Sequence, residues 1–222
     1  MTKPFAWSYS LLQAFETCPR RFKLTRITKE VQEPQSEAML HGNMVHKALE
    51  LRVKDSTPLP AKYAQYAPMM DAIMAAPGVK HPEQRFGLTR DFQPCEFFAP
   101  NVWVRGVLDL SIVRENSVIE LDYKTGKPKS DGDQLKLCAA ASFARHPNAR
   151  TVHTGYLWLA HNRVDTSVFQ RTDVPAIWQD FIPRVERVVR ASATGEYPPI
   201  PSGLCKNWCP VRKAQCEFSG KQ

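Results

Sequence analysis

The amino-acid sequence predicts an α/β fold with a central mixed sheet flanked by helices. Three observations carry that expectation. Apolar and β-branched residues concentrate in three runs between 84 and 124 and in two more between 151 and 170, the texture of strands. Between those groups, Leu135, Ala139 and Ser142 or Phe143 recur at helical spacing. Helical spacing also brackets the strands at both ends of the chain. The coarse order is helix, strand, strand, strand, helix, strand, with helical additions at both ends, and such alternation is the mark of an α/β class.

Each element has a local reason. Ser8 or Ser10 can cap a short helix that carries Leu11, Leu12 and Phe15 and ends near Cys18-Pro19. A second helix is expected over 38–54, with Leu40, Met44, Ala48 and Leu51 near one face and His46 and Glu50 one turn apart on another. Residues 57–60 break it. A further helix over 61–76 is expected to be interrupted or kinked at Pro68, and Pro77-Gly78 marks a turn. Strands are expected over 84–90, 102–113 and 117–124, the last two joined tightly at Glu115-Asn116. A polar loop over 127–132 precedes the helix at 133–145. Strands over 151–160 and 164–170 follow, and then a helix over 174–193 with Ile177, Phe181, Val185, Val188 and Val189 facing inward. The tail from Tyr197 is rich in proline, glycine and cysteine and follows neither period.

The 222 residues suffice for one domain with a real core, and no linker divides the chain, so residues 1–222 are expected to form a single domain. A hydrophobic fraction of 43% and a charged fraction of 23% exclude a disordered or fibrous chain. No run reaches a membrane-spanning length and the first residues lack a secretory apolar core, so no membrane association and a cytoplasmic location are expected. The net charge of +8 suits a polyanionic partner. Six cysteines in a reducing compartment point away from disulfides, and the three clustered near the carboxyl end point toward metal.

The chemistry is concentrated in Gly106-Val107-Leu108-Asp109 and Glu120-Leu121-Asp122-Tyr123-Lys124-Thr125-Gly126. Side chains alternate along a strand, so Asp122 and Lys124 project to one face. Two neighbouring strands each deliver a carboxylate, and a lysine stands beside the second. Hard divalent cations prefer carboxylate oxygens. A bound metal can lower the pKa of water and stabilise charge on a scissile phosphate, and the lysine adds a positive charge there. Phosphodiester cleavage is therefore the leading reading.

Asp109 with Asp122-Tyr123-Lys124 resembles the motif of the PD-(D/E)XK nucleases. Within that superfamily the chain is similar to the RecB-like exonuclease group, which includes CRISPR-associated iron–sulfur nucleases and many phage proteins. Gly42-Asn43-Met44-Val45-His46 with Leu49-Glu50 resembles the group's upstream histidine motif, and Gln134-Leu135 the start of its downstream glutamine motif. Ser8-Tyr9-Ser10 through Cys18-Pro19-Arg20-Arg21-Phe22 resembles its amino-terminal segment. The resemblance spans nearly the whole chain with the motifs in order. It implies a restriction-endonuclease-like αβββαβ core. It also implies one or two Mg²⁺ or Mn²⁺ ions held by His46, Asp109, Asp122 and the Tyr123 carbonyl. Lys124 would position or polarise the water, and Gln134 would hold the site or the DNA. Asp122 stands where many members have glutamate, and Cys138 where the glutamine motif often has tyrosine. Glu50 would either orient His46 or face solvent, and Glu83, just before the first strand, is expected to be a surface glutamate, with an accessory acid near the metals as the alternative.

Cys205, Cys209 and Cys216 supply three soft ligands in a short loop, one short of a closed site, and Cys18 is the natural fourth. The resemblance implies a [4Fe–4S] cluster on these four residues, stapling 1–26 to 197–222, although the spacings are one residue longer than the common pattern. Zn²⁺ would accept the same four thiolates. Cys95 and Cys138 are expected to be buried small hydrophobes.

For DNA, Arg20, Arg21, Lys23 and Arg26 beside Cys18 would converge with Lys206, Arg212 and Lys213, with Phe22 and Trp208 stacking bases. Lys127 and Lys129 follow the active-site strand and are placed for phosphate contact. The expected activity is that of a metal-dependent deoxyribonuclease, by resemblance an exonuclease on single strands or DNA ends. Its setting would be recombination, repair or replication in a phage or bacterium, with recombination, helicase or replication proteins as partners. The competing readings are a structure-specific or nicking endonuclease and a module that grips DNA ends without cutting.

Overall fold

Two β-rich runs either side of Glu115-Asn116 build the centre of a six-stranded sheet. The computed structural model describes residues 6–128 and 132–221. Its strands are β1 (Val79–Leu88), β2 (Pro94–Cys95), β3 (Val104–Val113), β4 (Ser117–Lys124), β5 (Thr151–Trp158) and β6 (Arg163–Gln170), in the order β2-β1-β3-β4-β5-β6. All neighbours are antiparallel except β4 and β5. A parallel pair needs a crossover, and α5 (Asp133–Arg145) supplies it. The fold is thus a mixed α/β sheet flanked by helices, of the restriction-endonuclease-like kind.

The chain divides into two compact units, one built on Glu37–Gln179 and the other on Trp7–Ser36 with Asp180–Gln222. In the first, alternation along the strands sends Leu110, Ile112, Leu121 and Tyr123 to one face of the sheet. There they pack with Val45, Leu49 and Val53 of α3 (Glu37–Asp55) and Met70 of α4 (Ala67–Ala75). On the other face, Ala139 and Phe143 of α5 meet Val118 and Val152. Ala139, Ala140 and Ala141 are all buried, and their small side chains bring α5 close to the sheet.

The same close approach buries a carboxyl group. Glu120 is 2% exposed, and one of its oxygens accepts hydrogen bonds from the hydroxyls of Ser111 and Ser142. Its other oxygen has no partner among the described residues. Burial pushes its pKa up to about 7, against the pull of the two hydroxyls and Arg145. A folded pKa above the unfolded one gives stability that is complete below about 4.5 and is lost as pH rises through about 7. Urea unfolding should show wild type losing about 3 kcal/mol between pH 5 and 8 from this group, and Glu120→Gln flattening that slope. A slope unchanged by the substitution would contradict the assignment.

The second unit joins the two ends of the chain. Ser8 Oγ accepts from Leu11 N–H to cap α1 (Tyr9–Thr17). α2 (Pro19–Phe22) runs on into a π-helical turn, Lys23–Ile27. Glu16 pairs at 2.8 Å with both Arg184 and Arg187 of α6 (Val174–Thr194). Phe15, Phe22 and Tyr197 form an aromatic cluster with centroids 5.6–6.4 Å apart. The tail adds a short helix, α7 (Leu204–Asn207).

Several elements depart from expectation. β1 begins at Val79, ahead of the expected 84, and runs through Pro82. The proline is tolerated because β2 pairs only with Gly87 and Leu88, so β1 is an open edge at Pro82 on that side. β2, two residues long, is too short to leave a sequence pattern. Pro68 does not kink a helix. It lies in the first turn of α4, where its missing N–H costs nothing, after a 3₁₀ segment at Ala61–Tyr66. Among the described residues, no helix is long and apolar enough to cross a membrane.

Candidate active site

β3 and β4 stay in register only as far as Leu110 opposite Leu121. At the next position the Asp109 carboxylate enters the ladder and accepts the Tyr123 N–H at 2.7 Å. The strands therefore part at Asp109, and its second oxygen is offered to α3. His46 Nδ1 lies 3.3 Å from it, and His46 Nε2 lies 2.9 Å from the Tyr123 carbonyl. Both partners are acceptors, so the imidazole serves both only when doubly protonated. Burial pulls the His46 pKa down, but the hydrogen bond and charge of Asp109, the charge of Asp122 and the Tyr123 carbonyl outweigh it, and the net shift is upward. One turn before His46, Gly42 lets the helix come close: a Cβ there would lie 3.4 Å from Thr125 Oγ1.

Glu83 joins this group. Its carboxylate comes within 4.8 Å of ligand atoms of His46 and Asp109, so it is not a plain surface glutamate. By register it lies across from Asp109, between Pro82 opposite Leu110 and Gln84 opposite Leu108. Its φ of +50° is left-handed, a strained state for a residue with a Cβ, and it sits inside a strand beside the polar groups of His46 and Asp109. Burial first, then Asp109 and Glu50, raise its pKa. A strand begun at 84 leaves this residue out. The strand that begins at Val79 places an acid opposite Asp109.

The second half of the site lies on β4 and α5. Lys124 Nζ sits 2.7 Å from Asp122 Oδ2 and donates to Gln134 Oε1 at 3.0 Å. Gln134 Nε2 in turn donates to Asp122 Oδ1 at 2.5 Å. The Lys124 ammonium also lies 5.0 Å from the centre of the Tyr156 ring. Burial and the neighbouring Asp109 charge push the Asp122 pKa up to about 6, with Lys124 and His46 holding it back. Asp122 stays outside the His46–Glu83–Asp109 group, and the Tyr123 backbone links the two halves. Glu50 bonds Lys47 at 2.7 Å and does not orient His46.

Gly106, which opens the Asp109 motif, has a packing reason. A Cβ there would lie 2.6 Å from the Phe86 ring, which covers it across the strand pair.

The four cysteines Cys18, Cys205, Cys209 and Cys216 line one cavity of the second unit, and none is in a disulfide. Backbone N–H groups of Ile200 and Ser202 point at the sulfurs of Cys18 and Cys205, at 3.5 and 3.3 Å. Cys138 is buried as expected, whereas Cys95 is only half-buried. Of the basic residues named for DNA, Arg20 donates to the carbonyls of Tyr197 and Gln215, and Arg21 is paired with Glu33 at 2.6 Å. Lys127 is exposed, and Lys129 lies outside the described residues. Phe22 is fully buried in the aromatic cluster and has no face for a base, whereas Trp208 is 76% exposed.

A family model described as the PD-(D/E)XK nuclease superfamily matches residues 6–217. The chain belongs to the PD-(D/E)XK nuclease superfamily. Its fold is shared with a crystal structure named "putative exonuclease" from Eubacterium rectale, 13% identical over 91% of this chain and 86% of that one, with a TM-score of 0.55. A second solved structure, that of SSO0001, matches at 14% identity over 94% of this chain and 85% of that one, with a TM-score of 0.45. No curated protein sequence matches the chain. PD-(D/E)XK nucleases use divalent metals, and the donors gathered here suit one. Carboxylate and carbonyl oxygens are the ligand types of Mg²⁺ and Mn²⁺ sites, and an imidazole beside them suits a transition metal such as Mn²⁺ better than Mg²⁺. Burial first, and then neighbouring carboxylate charge, raises the pKa of Glu83 and Asp122, while Asp109 and Asp122 raise that of His46 against burial; a cation would offset the crowded negative charge.

Proposed function

We propose that this PD-(D/E)XK protein is a metal-dependent deoxyribonuclease, an exonuclease of the RecB-like group acting on single strands or DNA ends in recombination, repair or replication. The observation that carries the reading is the convergence of His46, Glu83 and Asp109 beside the Asp122–Lys124 pair. His46, Glu83, Asp109, Asp122 and the Tyr123 carbonyl would hold one or two Mg²⁺ or Mn²⁺ ions. The metal supplies a water of lowered pKa and charge stabilisation at the phosphate. Lys124 brings a cation to the phosphate and its attacking water, and Gln134 fixes the Lys124 and Asp122 side chains relative to each other. The name of the Eubacterium rectale structure supports the exonuclease mode. End-labelled linear and circular single-stranded DNA, each with Mg²⁺, Mn²⁺ or chelator, tests it. Loss of the linear substrate alone is expected; metal-dependent cutting of the circle would make the protein an endonuclease.

A bound metal must displace protons from Asp122 and His46. Since the Asp122 pKa is raised to about 6, ionisation is complete well above that pH and lost below it. Mn²⁺ affinity measured by calorimetry should fall as pH drops through about 6, by about tenfold per pH unit for each proton displaced. An affinity independent of pH would contradict this ligand set.

In the second unit, Cys18, Cys205, Cys209 and Cys216 are proposed to hold a [4Fe–4S] cluster. Their shared cavity and the N–H groups aimed at two of the sulfurs support thiolate–metal ligation. Anaerobic purification should yield about four irons and four sulfides per chain. Zinc without sulfide would replace the cluster with a structural Zn²⁺ site.

A further inference from the structure

We propose that Phe97 and Phe98, with Arg85 and Arg105, form a platform that grips single-stranded DNA on its way to Asp109. The proposal rests on the nuclease reading above and names the strand state that the site receives. Phe97 and Phe98 lie in the loop between β2 and β3, edge-on to each other at 4.8 Å. Phe98 is 73% exposed, a costly state for a large apolar ring with no packing reason in its own unit. The Arg105 guanidinium lies 5.1 Å from the Phe97 ring centre and 5.3 Å from that of Phe98. Arg85 approaches Phe97 at 5.5 Å. Two guanidiniums are thus brought to the same ring, where each raises the cost of the other. Among the described residues neither has a carboxylate within ion-pair distance, and the one hydrogen bond either makes to another residue's backbone is from Arg105 to the Phe97 carbonyl, at 3.4 Å. Two uncompensated cations call for an anion, and an exposed aromatic face beside them calls for a flat apolar partner. A polynucleotide supplies both, a phosphate for each guanidinium and a base for Phe98.

The platform is continuous with the active site. Arg105, Val107 and Asp109 alternate to the same side of β3, and Arg85 is registered opposite Val107. Val107 is 41% exposed, so the path between Arg105 and Asp109 is open. Four residues of strand span ~13 Å, the reach of a short single-stranded segment. Along a duplex the base faces are stacked on one another, whereas every unpaired base offers a free face to Phe98.

The test is fluorescence anisotropy of a labelled oligothymidylate and of a blunt duplex in chelator, with wild type, Phe98→Ala and the double variant Arg85→Gln, Arg105→Gln. Phe98 is exposed, so its replacement leaves the fold intact. Phe98→Ala should weaken oligothymidylate binding about tenfold or more with little change for duplex. The double arginine variant should lower the slope of log affinity against log salt by about 0.7 for each phosphate that is no longer neutralised. Unchanged single-strand affinity in Phe98→Ala, an unchanged salt slope in the arginine variant, or a wild type that binds no single strand would each overturn the platform. Cleavage of DNA with Mn²⁺ by wild type is scored separately. Cleavage without a Phe98 effect removes the platform alone, and a Phe98 effect without cleavage removes the nuclease reading alone.

Discussion

Replacing Asp109 with asparagine is expected to abolish detectable DNA cleavage and to weaken Mn²⁺ binding by at least about 100-fold. Asparagine keeps an oxygen that can accept the Tyr123 N–H, so the parting of β3 and β4 survives. It removes the charge that holds the His46 proton and raises the Asp122 pKa. The Asp122 titration should therefore move back toward the ordinary carboxylate range, which carbon-13 NMR of the carboxyl groups reads directly. Asp109→Leu is a useful contrast. It orphans the Tyr123 N–H as well and should cost about 1–3 kcal/mol of stability, whereas Asp109→Asn should unfold near the wild-type midpoint. Strong Mn²⁺ binding by Asp109→Asn would remove Asp109 from the ligand set.

Lys124→Ala should separate chemistry from metal binding. The expected loss in single-turnover cleavage is about 10²–10³-fold, the scale for removing one cation or donor from a developing negative charge. Metal binding should persist, because Lys124 is not a ligand. Without the lysine the Asp122 pKa rises further, since Lys124 is a force holding it down. The comparison therefore belongs about two pH units above that pKa, where Asp122 is ionised in both proteins. A variant that cuts as fast as wild type there would remove Lys124 from the mechanism.

Much of this site is legible in the sequence because strand alternation is a strong rule. Asp122 and Lys124 have to share a face, and the structure pairs them. His46 and Gln134 follow from motif order, and the structure brings each to a carboxylate of the site. The strand that carries Glu83 is hidden because a proline beside it argues against one, so the sequence offers Glu83 as an accessory acid only as the lesser reading; the open edge of β1 makes Pro82 acceptable. Glu120 is hidden because an acid alternating with Leu121 reads as solvent-facing; the serines that donate to it, Ser111 and Ser142, are remote in sequence. Arg20 and Arg21 read as DNA contacts from charge alone, yet their donors are engaged by carbonyls and by Glu33 from distant positions. Phe97 and Phe98 leave no periodic signal because they sit in a loop, where only the surrounding arginines give them meaning.

The nuclease reading meets its most direct test in single-turnover cleavage of end-labelled single-stranded DNA by wild type, at saturating Mn²⁺ and after chelation. Cleavage that requires the metal is the predicted result. Equal cleavage in chelator, or none at any Mn²⁺ or Mg²⁺ concentration, would contradict it.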